Sequence, residues 1–132
     1  MDKKRLKLLN KFNKTAVENF GDDEYFDAVE SLRNLIADEG EINSIKLRDF
    51  VKKFFIYKQV IELEREYTIS LLSSGWLRKN LIMLIKHKNQ LQKLDEAYAE
   101  LCLFHFDFYH VFGVSLTKTQ NNIIEELLKK IS

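Results

Sequence analysis

Proline is absent from this chain of 132 residues, glycine occurs only 4 times, and cysteine and tryptophan once each. Without proline nothing obliges a helix to break, and with so little glycine the backbone has few places to turn left-handed, so long helices are allowed. The lone thiol, Cys102, cannot close an internal disulfide, and its place beside an apolar seam reads as a buried, inert thiol. No charge of one sign is in excess. The 21 basic and 20 acidic residues leave a formal charge of +1, which excludes holding nucleic acid by bulk charge and leaves only local patches. Long apolar runs are missing as well. Leu81 to Ile85 is short and bounded by charge, and Met1 is followed by Asp2, Lys3, Lys4 and Arg5 rather than by a signal-peptide hydrophobic region. The expectation is a soluble, intracellular chain in the cytoplasm, with no membrane contact. With 45% hydrophobic residues and this length, one cooperative core is possible and two are not, so residues 1–132 read as a single domain. The preference for lysine, isoleucine, asparagine and phenylalanine over arginine and alanine fits an AT-rich coding sequence, such as that of a low-GC bacterium or a mobile element.

What the chain does contain is helical periodicity. Steps of three and four from Leu77 land on Asn80, Leu84, His87, Leu91, Leu94, Tyr98, Leu101, His105, Phe108 and Phe112, which predicts one long amphipathic helix from Trp76 to Phe112. Leu81 and Cys102 on one side, and Met83, Ala97 and Phe104 on the other, widen the stripe to the breadth of a bundle core. Upstream, Leu47, Phe50, Phe54, Tyr57 and Ile61 predict a helix from Ile45 to Leu72, most buried in its first half. Asn43 is its cap, with Ile42 and Leu47 as a hydrophobic staple. Ser73, Ser74 and Gly75 then reverse the chain, and Trp76 closes the end of an antiparallel helical hairpin. A first helix is expected over Lys3 to Phe20, on Leu6, Leu9, Phe12, Ala16 and Phe20, stopped by Gly21. Asp22 or Asp23 caps a second, which Gly40 closes, and Ser115 or Thr117 caps a last one on Ile123, Ile124, Leu127, Leu128 and Ile131. Phe104, Phe106 and Phe108 alternate as along a strand. No second strand offers a ladder, so Leu101 to Phe112 is assigned to helix. The predicted fold class is all-α: a single-domain bundle of about five helices built around the long hairpin. Its core would hold Leu84, Leu91, Leu94, Tyr98 and Leu101 against Phe50, Phe54 and Ile61.

Most candidate chemistry fails on geometry. His87 and His105 lie roughly 27 Å apart along one helix, too far to share a metal or a substrate. His105 and Asp107 point nearly opposite ways on a helix. Glycine-rich phosphate loops, nucleophile elbows and paired cysteines are absent. Helical ribonucleases of the HEPN type need an arginine followed closely by a histidine, and Arg78 and His87 are too widely spaced. No enzyme activity, metal or cofactor is expected.

Charge is what remains. Among the charged residues from Glu18 to Glu41, all are acidic except Arg33. Arg78, Lys79, Lys86, Lys88 and Lys93 occupy the first half of the predicted long helix, with Asp95, Glu96, Glu100 and Asp107 in the second, an order that opposes the helix dipole. Lys79, Lys86 and Lys93 recur every seven residues. Solvation or neutralisation by the acidic helix is the leading account of this stripe, and a surface for an anionic partner, an acidic protein or a nucleic-acid backbone, is the other. The turn Phe112-Gly113-Val114-Ser115 resembles that of a helix-turn-helix DNA-binding motif, which makes Lys118, Gln120, Asn121 and Asn122 candidate base readers. The match departs at Tyr109, where the motif wants a small residue, and at Thr119 and Asn122, where it wants apolar ones. A second resemblance, from Leu35 to Trp76, is to winged-helix regulators. Gly40, Leu47 and Gly75-Trp76-Leu77 carry it, Leu81 to Lys88 would be a wing strand, and the missing turn between the two central helices departs from the pattern. The functional expectation is a non-enzymatic binding or regulatory protein that works through charge-segregated helical surfaces against another protein. DNA binding is the alternative, and self-association through Phe104 to Phe112 is a further expectation.

Overall fold

In the computed structural model, residues 2–15, 21–38, 40–75 and 79–131 are described. They form five helices, α1 (Lys3–Asn13), α2 (Asp22–Ala37), α3 (Ser44–Ser73), α4 (Leu81–Phe112) and α5 (Leu116–Ile131), with no strand among the described residues. The wing strand expected over Leu81 to Lys88 is therefore the first turns of α4. Leu101 to Phe112 is helical throughout, because main-chain donors inside one continuous helix need no partner strand.

Local chemistry sets the helix ends. The Asn43 side chain accepts from the amides of Ile45 and Lys46 at 3.0 and 3.2 Å, and both Ile42 and Leu47 join the core, as the staple requires. Asn80 is not part of the seam. It caps α4, accepting from Met83 N at 3.2 Å, so the helix begins at Leu81 and Lys79 lies outside it. The roles expected of Trp76, Leu77 and Arg78 fall outside the described residues. Gly113 closes α4 in the left-handed region at φ 73°, and Ser115, not Thr117, caps α5, accepting from Lys118 N at 3.3 Å.

Two boundaries differ from expectation. α1 stops at Asn13, where the Lys14 and Thr15 amides turn back to the carbonyls of Lys11 and Phe12. Ala16 and Phe20 fall outside the described residues. Leu8, Leu9 and Phe12 form its buried face, and Leu6 is 40% exposed. Neither Asp22 nor Asp23 caps α2. Gly21 does, at φ 61°, and a Cβ there would lie 3.0 Å from Val60 and 3.4 Å from Tyr57, so only glycine lets α2 start this close to α3.

α2 lies against α1 and α3, α1 also touches α4, and α5 touches α3 and α4. One hydrophobic core draws on all five helices. Phe12 sits at its centre, with ring centroids at 5.0 Å from Phe104, 5.9 Å from Tyr25, 6.1 Å from Phe54, 6.3 Å from Tyr57 and 6.4 Å from Phe50. α3 and α4 run antiparallel: Phe50 stacks on Phe108, Phe54 on Phe104, and Arg65 pairs with Asp95. Leu94 and Leu101 are fully buried and Tyr98 is partly so. Leu84 and Leu91 are only half-buried, the buried residues of the other described helices being gathered at the opposite end of α4. Arg5 acts as a clip. Its guanidinium lies 4.8 Å from the centre of the Phe112 ring and donates to the carbonyls of Asp38 and Gly40 at 3.1 and 3.2 Å. It thereby satisfies acceptors that the end of α2 leaves open.

Candidate functional site

α5 places its amphipathic face across the middle of α3. Leu116 and Ile123 are buried there, and an ion pair between Arg48 and Glu126 ties the far half of α5 to the start of α3. The apolar face of α5 is longer than the surface that receives it. Beneath this mismatch lies a half-open groove of ≈ 590 Å³, walled by Val51, Phe55 and Ile56 of α3, by Tyr98 of α4, and by Ile123, Ile124 and Leu127 of α5. Lys52, Lys58, Gln59, Glu62 and Gln120 supply its polar atoms.

Lys58 is the chemical centre of this groove. Its ammonium lies 5.8 Å from the ring centres of both Phe55 and Tyr98 and 3.4 Å from His105 Nε2, and it meets no carboxylate among the described residues. An ammonium can only donate, so His105 Nε2 accepts, and the ring proton stays on Nδ1, which donates to Thr117 Oγ1 at 3.2 Å. Burial, followed by the nearby Lys58 charge, holds the His105 pKa below its ordinary value. The ring is neutral and structural. The Cys102 sulfur and the Glu62 carboxylate raise the Tyr98 phenol above its usual range, and Cys102 itself is half-buried at this edge rather than sealed in the core. Such a groove offers apolar contact plus an unpaired cation.

The candidate residues for an anionic partner are only partly assembled. Lys79, Lys86, Lys88 and Lys93 are exposed, and none forms an ion pair with a described residue. Lys79 precedes the helix, and Lys88 lies about 200° around α4 from Lys86, so only Lys86 and Lys93 share a row. Arg78 is outside the described residues. Two of the acids in the second half of α4 find bases on other helices, Asp95 on Arg65 and Asp107 on Lys11. That Asp107 contact raises the Lys11 pKa.

Among the candidate base readers, Lys118, Asn121 and Asn122 are exposed on α5, whereas Gln120 lines the groove and faces α3. His105 packs against Phe54, Phe55 and Lys58, Asp107 is engaged by Lys11, and His110 lies beside Lys4, Lys7 and Leu8. Among the described residues no group of histidine, cysteine and acidic side chains could hold a metal, and no helix is long and apolar enough to cross a membrane. The groove itself had a signal in the sequence. Val51 and Phe55 broaden the α3 stripe, and α5 carries more apolar residues than one neighbour can cover. No known protein family, curated protein or solved structure matches this chain.

Proposed function

We propose that this chain is a non-enzymatic binding protein whose groove between α3 and α5 receives an amphipathic helix of a protein partner. The supporting observation is Lys58: a lysine beside two aromatic rings in a largely apolar groove that Glu62 also lines, with no ion pair to a described carboxylate. A helix laid in such a groove would place apolar residues at helical spacing on Val51, Phe55 and Ile123, and one acidic side chain over Lys58. Ile56 is 52% exposed on the groove wall, so Ile56→Asp should block docking without touching the core. Wild-type and Ile56→Asp chains, each carrying a photocrosslinker at Gln59, serve as baits in the native host. The expected result is a protein crosslinked by the first and lost by the second. If no crosslinked protein distinguishes them, the reading fails.

A second reading is favoured by the exposed, unpaired lysines of α4: contact with the backbone of a nucleic acid. Gel shifts with random duplex and single-stranded oligonucleotides at low salt test it, since each neutralised phosphate adds about 0.9 to the logarithmic salt slope on duplex DNA. Absence of binding at tens of micromolar removes this reading.

A further inference from the structure

Lysine gathers on α1 where helix physics gives it no support. Lys4, Lys7 and Lys11 follow steps of three and four, so they share one face of α1. Like charges at that spacing repel, and cations in the first turns oppose the helix dipole. Both costs fall on a helix of 11 residues with no acid in its first turn. Lys11 has an answer, the Asp107 carboxylate at 2.6 Å. Lys4 and Lys7 form no ion pair with a described residue.

All three lysines border a cleft of ≈ 270 Å³ between α1 and α4, where His110 joins them and Leu8 and Val111 add apolar lining. Lys4, Lys7 and His110 are exposed, so a ligand can reach them. From this convergence we infer that the cleft binds the dianionic phosphoryl group of a small molecule, with Lys4, Lys7 and His110 as its ligating side chains. An ammonium carries three donors and a neutral imidazole one, enough together to serve every outer oxygen of one phosphoryl group. Charge-assisted bonds of this kind are the strong ones. A bound dianion would also relieve the repulsion between Lys4 and Lys7.

The size of the cleft and the acids at one end of it select a small ligand over a polyanion. Its volume is below the usual range for a drug-sized pocket, about 300–1,000 Å³, and suits a phosphoryl group with a few further atoms. Carboxylates hold the Lys11 end: Asp107 by its bond and charge, and then Glu100, raise the Lys11 pKa. A strand of successive phosphates laid along the cleft would run onto both acids, whereas a single phosphoryl group at the Lys4 and Lys7 end would not. The cleft shares no residue with the groove between α3 and α5, so the inference stands independently of the reading above.

Amide chemical-shift titrations of the full chain at constant ionic strength test the site, with inorganic phosphate and glycerol phosphate as probes and chloride as the control. Saturable shifts should be confined to residues 4–11 and the turn of α4 around His110, and either probe should raise the melting temperature. Glycerol phosphate bound at least as tightly as inorganic phosphate identifies a monoester as the ligand, and weaker binding identifies free phosphate; both support the site. The double variant Lys4→Gln/Lys7→Gln should match or exceed the wild-type melting temperature in chloride, because it removes the repulsion on α1. It should bind inorganic phosphate at least about tenfold more weakly, the loss expected of charge-assisted contacts. Lys86→Gln/Lys93→Gln, which changes only the α4 row, should bind as the wild type does. The inference is overturned by the absence of saturable shifts, by undiminished binding to the Lys4→Gln/Lys7→Gln variant, or by an equal loss in Lys86→Gln/Lys93→Gln. Tight binding of an oligonucleotide without a terminal phosphate through the same residues would also overturn it.

Discussion

The inner and outer halves of the two longest helices are built from similar sequence and end in different states. Over Leu47 to Ile61 and Leu94 to Phe112, α3 and α4 bury twelve side chains. Over residues 62–73 and 81–93 they bury one, Thr68, whose hydroxyl donates to the Glu64 carbonyl in its own helix. Both halves carry an amphipathic stripe, so the stripe alone does not create a core. Where α1, α2 and α5 flank the pair, a leucine is sealed. Where no third helix lies beside the two among the described residues, the same residue keeps an edge in water.

Leu94 and Leu84 give the sharpest contrast, being identical residues on one seam. Leu94→Ala should lower stability by roughly 2–5 kcal/mol and Leu84→Ala by less than about 1 kcal/mol in urea melts. Equal losses would erase the distinction between the halves. Arg5→Met comes next, because it deletes two charge-assisted bonds to the end of α2. A loss of about 2 kcal/mol is expected, and a neutral result would mean that the clip is merely solvated.

The two asparagine caps separate the halves again. Asn43→Ala should cost about 1 kcal/mol globally. Asn80→Ala should instead speed amide exchange in the first turn of α4 and leave the melting midpoint nearly unmoved. The smallest effect concerns His105 in the inner half. Its folded pKa lies below the ordinary 6.5, so the unfolded chain binds the proton more readily. The stability tied to the neutral ring is complete above about 6.5 and drains away as pH falls through the lower folded value. His105→Gln should flatten that part of the pH–stability curve. An unchanged slope would place the titration elsewhere.

Helix content, the hairpin partners Phe50 and Phe54, and the Asn43 cap were legible in the sequence because periodicity and capping are local. Leu84 and Leu91 were assigned to the core on the same periodicity, wrongly, since their burial depends on helices that stop short of them. Which residues meet in the groove was hidden for a related reason, although Val51 and Phe55 marked one wall. Lys58, Tyr98 and Ile123 come from three helices, and nothing in their spacing says that they meet. The basic stripe is shorter than its spacing suggested: once Asn80 is the cap, Lys79 lies before the helix and only Lys86 and Lys93 share a row.

Phe12 has a consequence for the order of events in folding. It is fully buried at the centre of the aromatic cluster, yet it is supplied by α1, a helix of 11 residues, too short to persist alone in water. The core thus depends on a segment that cannot wait, preformed, for the rest. α1 and the ring cluster must lock in a single step, so its amides should exchange with solvent only when the whole inner half opens. The outer half of the hairpin, which shares no such residue, is free to open and close many times while that lock holds.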